Sequence, residues 1–124
     1  MTLAEAVAIV RRLDLPEEDY AVHGSGPLLA HGLLDSIGDL DIVSRGAAWE
    51  RARRLAPVRR ASRDDVVSPA PDVEVFDGWL DDDADRLIDS ARFVNGLRCV
   101  PLEAVLEFKR RLGRPKDAGH IRLI

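Results

Sequence analysis

Three acids in this sequence stand where acids are costly. Asp39 and Asp41 alternate with Leu40 and Ile42 ahead of Val43, and Glu74 stands between Val73 and Val75 ahead of Phe76. Strand side chains alternate between faces, so a strand over Asp39 to Val43 sends both aspartates to one face and Leu40 and Ile42 to the other. A carboxylate among apolar neighbours loses several kcal/mol of solvation unless something pairs with it. Two unit negative charges about 4 Å apart also repel by about 4 kcal/mol at an effective dielectric of about 20. If Asp39, Asp41 and Glu74 meet in space, they therefore ask for a cation. Magnesium prefers oxygen ligands and is typically held by one or two carboxylates together with phosphate oxygens. Upstream, Gly24-Ser25-Gly26 ahead of Pro27 offers a turn whose backbone amides can approach an anion. Such a turn alone says little. The order gives it weight: thirteen residues separate Ser25 from Asp39, and Glu74 follows on a separate strand. The plainer alternative makes the acids three unrelated, solvated or paired carboxylates at strand ends.

The elements that must position these residues are legible from periodicity. Leu3, Ala6, Val7, Val10 and Leu13 recur at helical spacing, with Pro16 just beyond, and predict a first helix over residues 2 to 13. Tyr20 to Val22 reads as a short strand running into the glycine turn, and Pro27 then opens an apolar stretch, LLAHGLL, that fits two helical turns. Ala47 to Leu55 predicts another helix ended by Pro57. Val58 to Ala61 and Val66 to Val67 give fainter strand signals, and Val73 to Phe76 a clear one before the Asp77-Gly78 turn. Arg92 to Val94 and Leu97 to Val100 flank Asn95-Gly96, a strong hairpin signal. A helix after Pro101 carries Leu102, Val105 and Leu106 on its apolar face, extended by Phe108 and Leu112. Gly113 closes it and Pro115 starts a last helix.

Length and composition set the frame. A chain of 124 residues with 46% hydrophobic content suits one domain with its own core, spanning 1–124. It has no apolar run of eighteen residues, and its start lacks the pattern of a signal peptide, so the expectation is a cytoplasmic protein without a membrane role. A net charge of −4 argues against bulk electrostatic grip on nucleic acid, although it leaves nucleic acid open as an acceptor. Arginines crowd residues 51 to 63 and aspartates residues 81 to 85, runs that ordinarily form solvated faces. Cys99 reads as a small buried hydrophobe. His23 reads as a strand-end histidine satisfied by backbone, and His31 and His120 lack zinc-like partners. The two lysines, Lys109 and Lys116, both fall in the basic tail among eighteen basic residues. Each is a candidate phosphate contact, or else a surface charge or salt bridge to a neighbouring helix.

These residues together resemble the nucleotidyltransferase superfamily. Its pattern is a hydrophobic residue before a Gly-Gly or Gly-Ser turn, an acid-hydrophobic-acid pair on the next strand, and a later strand acid between hydrophobic neighbours. Here these are Val22-His23-Gly24-Ser25, Asp39-Leu40-Asp41 and Val73-Glu74-Val75. More narrowly the chain is similar to small bacterial proteins near the AbiEii toxin group. Their tails carry a lysine followed by a Gly-Arg-Pro-Lys-Asp run, matched by Lys109 and by Gly113-Arg114-Pro115-Lys116-Asp117. Where such tails often carry a second acid after the Lys-Asp pair, this one continues Ala118-Gly119-His120-Ile121.

The resemblance implies an α/β (α+β) protein with the polymerase beta-like nucleotidyltransferase fold, a small mixed sheet flanked by helices. It implies that Gly24 and Ser25 contact a triphosphate, with Lys109 and Lys116 as further phosphate contacts. Asp39, Asp41 and Glu74 would be the catalytic and metal-holding acids, with Mg2+ as cofactor and a nucleoside triphosphate, ATP by preference, as substrate. The reaction would transfer a nucleoside monophosphate to a hydroxyl and release pyrophosphate. The acceptor would be bound by a partner subunit, by a large macromolecule or not at all, because the sequence shows no extra helical domain to bind it. The alternative is a nucleotide-binding, antitoxin-like partner of a toxin that binds without turnover.

Overall fold

The computed structural model describes every residue, Met1–Ile124. Helix α1 (Leu3–Leu13) is closed at its start by a capping box between Thr2 and Glu5 and at its end by Asp14 in the left-handed region. It buries Ala6, Val10 and Leu13, the stripe its spacing predicts. Strand β1 (Tyr20–His23) is buried throughout and leads through Gly24-Ser25 into α2 (Gly26–Ala30), a single short turn of helix rather than two. The reason is local: Gly32 takes φ +76°, and the Asn95 side-chain amide donates to the Ala30 carbonyl at 2.8 Å, so the chain leaves the helix there. Strand β2 (Leu40–Ser44) and α3 (Gly46–Ala52) follow.

Strands β3 (Arg59–Arg60) and β4 (Asp65–Ala70) form a hairpin, and β5 (Val73–Asp77) pairs back onto β4. Strand β4 runs past the expected Val66 to Val67, and its register against β5 shifts between Val67 and Ala70. That irregularity accommodates Pro69, which has no N–H to offer a ladder. A helix that the sequence reading did not resolve, α4 (Ala84–Asp89), is capped by Asp83. The hairpin of β6 (Arg92–Val94) and β7 (Leu97–Cys99) turns on Asn95 and Gly96, both with positive φ, as a type I′ turn requires. Helices α5 (Leu102–Leu112) and α6 (Pro115–Leu123) end the chain.

The seven strands form one mixed sheet in the order β3-β4-β5-β2-β1-β7-β6. Strand β1 is antiparallel to β2 and parallel to β7, while β2 is parallel to β5. Alternation divides the core between two faces. Val22, Leu40, Ile42 and Val75 pack with α1 and α3 on one side. Ala21 and Val43 pack with Trp79, α4 and α5 on the other. Asp41 and Glu74 have the parity of Val43 and Phe76 and share this second face.

The aspartate run before α4 is not a plain solvated face. Asp82 takes a two-pronged hydrogen bond from Arg111, both at 2.7 Å, and Asp81 pairs with Arg63. Arg45 bridges Asp19, Asp85 and Asp89, tying α4 to the start of β1. No helix is long and apolar enough to cross a membrane.

Candidate active site

The parallel register of β2 on β5 sets Asp41 directly beside Glu74. The antiparallel register of β1 on β2 sets His23 opposite Asp41, so the turn after His23 begins against the acids. Gly24 sits there at φ +67°, and a Cβ built on it would lie 2.9 Å from Asp41 Oδ2. Glycine is required twice over, for the left-handed backbone and for the carboxylate lying against it. Asp39 precedes β2 and is exposed.

All seven residues singled out from the sequence line one cavity of about 550 Å3: Gly24, Ser25, Asp39, Asp41, Glu74, Lys109 and Lys116. One wall is acidic and comes from β2 and β5. Helices α5 and α6 and the junction between them supply another part of the lining, which adds Arg114 and His120. Ile37, Phe76, Leu80 and Phe108 add apolar surface to the lining.

Asp41 is the strained member of the acidic wall. Burial first, then the charges of Glu74 and Asp39, push its carboxyl up to about 6, against the pull of Lys116 and Arg114. Glu74 already has a partner: Arg59, from the edge strand β3, donates to Glu74 Oε2 at 2.5 Å and to Ser68 Oγ at 3.2 Å. No three acids or imidazoles converge into a ready-made metal cage. Magnesium suits the arrangement nonetheless, because it is ordinarily held by one or two carboxylates and completes its shell with water and phosphate oxygens.

The two lysines have different fates. Lys109 is 1% exposed, with its ammonium 3.4 Å from Asp117 Oδ1, so its charge is engaged with α6. Asp117, itself wholly buried, also accepts from Arg114 Nε at 2.8 Å, Arg114 Nη2 at 3.1 Å and the Arg114 backbone at 3.1 Å. These bonds from Arg114, helped by the charges of Arg114 and Lys109, hold the Asp117 carboxyl down at about 2. Burial lowers the pKa of Lys109 although Asp117 opposes it. The tail without its second acid is thus complete: Asp117 alone locks α6 onto α5. Lys116 and Arg114 remain exposed on the cavity rim.

His23 makes no part of the cavity lining. Its Nδ1 accepts from the Gly24 N–H at 2.7 Å, and its ring stacks on Trp79 at 4.3 Å between centroids. Burial lowers its pKa to about 3, so it is a neutral prop beneath the glycine turn. Cys99 is buried and its thiol is pushed up to about 12 by burial, which leaves it a hydrophobe. Arg114 falls within the tail motif but carries no local sign of a place at the cavity, and nothing local distinguishes Arg59 or His120 from other basic residues. Only pairing and chain reversal bring them here.

Compared with solved structures, the chain matches the crystal structure of a "putative nucleotidyltransferase" from Thermotoga maritima with a TM-score of 0.64. The alignment covers 98% of this chain and 93% of that one at 21% identity. The chain has the nucleotidyltransferase fold. No protein-family model and no curated protein matches the sequence. At this identity the likeness extends to architecture alone.

Proposed function

We propose that the chain is a magnesium-dependent nucleotidyltransferase, moving a nucleoside monophosphate from a nucleoside triphosphate, ATP by preference, to an acceptor hydroxyl. One observation carries the reading. Asp41 stands in register with Glu74, against Gly24 and without an internal hydrogen bond, in a cavity with a cationic rim. A half-buried carboxylate with no hydrogen-bond partner beside two others favours a site completed by a cation, and the rim of Arg114 and Lys116 favours a polyanion.

In this reading Asp41 and Glu74, in register on adjoining strands, hold the metal, with Asp39 at the exposed end of the same acidic wall. Bound there, magnesium supplies neutralisation of the phosphate charge. The glycine turn and Ser25 receive the triphosphate, with Lys116 turned to its oxygens and Arg114, whose Nε and Nη2 donate to Asp117, adding positive charge beside it. Lys109 contributes through Asp117 by fixing α6, rather than by touching phosphate. The acceptor oxygen bonds to the α-phosphorus, the bond from that phosphorus to the bridging α–β oxygen breaks, and pyrophosphate leaves with the electron pair. The hydroxyl proton passes to Glu74, whose side chain is 34% exposed at the cavity mouth and so can meet an incoming acceptor.

The test is incubation with labelled ATP, CTP, GTP and UTP plus magnesium, alone and with cell lysate. Pyrophosphate release or a labelled product that vanishes in Asp39→Ala and Asp41→Ala supports turnover. Wild type and both variants behaving alike removes it.

A further inference from the structure

Glu74 is the one acid of the three that the chain itself neutralises. Strand register places Arg59 for that task. Arg59 lies opposite Val66, Val66 opposite Phe76, and Glu74 is two residues from Phe76 on the same strand. Alternation therefore puts Arg59 on the sheet face that bears the acids. Its side chain crosses β4 past Ser68 to reach the carboxylate. The pair is solvent-accessible, with side chains 53% and 34% exposed, and exposed ion pairs are cheap to break. Strand β3 is also only two residues long and lies at the edge of the sheet. Asp41, next to Glu74, has no such partner.

We propose that Arg59 is an internal counter-ion for Glu74 that bare divalent metal must displace, so that metal binding becomes coupled to arrival of the polyphosphate. A cation alone has to break the Arg59–Glu74 pair and leave the guanidinium without an anion. A metal–triphosphate complex brings anionic oxygens to the same sheet face, and the released guanidinium can turn to them. Coupling of this kind is reciprocal: whatever nucleotide does for metal affinity, metal does for nucleotide affinity. The inference rests on the metal-and-nucleotide reading of the cavity and adds a positioning residue that this reading does not require.

The experiment is a calorimetric titration with Mn2+ alone, and with Mn2+ in the presence of a non-hydrolysable ATP analogue. It compares wild type, Arg59→Gln, Glu74→Gln and the double variant, with thermal unfolding confirming that each is folded. Arg59→Gln is expected to tighten bare Mn2+ by roughly twofold to fivefold, the range for loss of one exposed ion pair. The gain in Mn2+ affinity produced by the analogue should shrink accordingly. In the Glu74→Gln background the Arg59 substitution should change nothing, because the bond it removes is already gone. Equal Mn2+ affinity in wild type and Arg59→Gln overturns the inference while leaving the site intact. The same tightening with and without Glu74 also overturns it, since Arg59 would then act only as a nearby charge. If no protein binds Mn2+ even with the analogue, the metal site itself fails and takes the inference with it. Arg60→Gln, on the same strand but paired with Asp65 at 3.4 Å, should leave bare Mn2+ affinity unchanged.

Discussion

Replacing Asp41 by Asn should stabilise the metal-free protein, and by an amount that depends on pH. The carboxylate has no internal hydrogen bond to lose, and its surroundings raise its pKa from 3.8 to about 6. The unfolded chain ionises Asp41 near its ordinary value, whereas the folded protein resists ionisation, so stability is lost as pH rises from about 4 to about 6. A shift of about two units corresponds to about 3 kcal/mol of penalty at neutral pH. Asparagine keeps the shape and removes the charge. With about 2.1 cal/mol/K of unfolding entropy per residue, 3 kcal/mol in a chain of this length raises Tm by about 10 °C. The assay is calorimetry in chelator at pH 7 and again at pH 4, where the gain should nearly vanish because wild-type Asp41 is then protonated. Magnesium with a nucleoside triphosphate should reverse the ranking, raising the Tm of wild type by ligand linkage and leaving Asp41→Asn where it was. A variant no more stable than wild type at pH 7, or equally stabilised at both pH values, would refute the argument that this carboxylate waits for a cation.

Gly24→Ala should cost about 1–2 kcal/mol, the penalty of a left-handed conformation for a residue with a Cβ. It should also abolish nucleotide binding, because the added carbon would stand 2.9 Å from Asp41 Oδ2. Both effects are readable in one thermal shift series with and without ATP. Asp117→Asn should destabilise by about 3–5 kcal/mol by leaving the Lys109 ammonium buried beside no anion, measurable by urea unfolding. With Asp117 held down at about 2, its contribution is present above about pH 4 and lost as pH falls toward 2. Lys116→Ala, on the exposed rim, should leave stability within about 0.5 kcal/mol and weaken ATP binding, seen by titration with a fluorescent analogue.

What the sequence determined by itself is the inventory and its local placement. Alternation put Asp41 and Glu74 on strands, Asn95-Gly96 placed a hairpin turn, and Pro101, Gly113 and Pro115 bounded the last two helices, because each of these signals acts within a few residues. It also named both acids that line the cavity from β2 and β5, Asp41 and Glu74, since a carboxylate between apolar neighbours is visible without knowing what lies opposite. It did not resolve α4, a helix of six residues set among aspartates whose partners, Arg45, Arg63 and Arg111, are distant in the chain. Nor could it separate the two lysines. Lys109 and Lys116 belong to one basic run, and only the reversal between α5 and α6 sinks Lys109 onto Asp117 while leaving Lys116 at the rim. Tertiary structure alone decided that β2 lies parallel to β5 in the register that sets Asp41 beside Glu74. It likewise decided that an arginine fifteen residues before Glu74 crosses an intervening strand to reach it. Strand pairing and chain reversal depend on which surfaces bury together across the whole domain, and no local spacing encodes that choice.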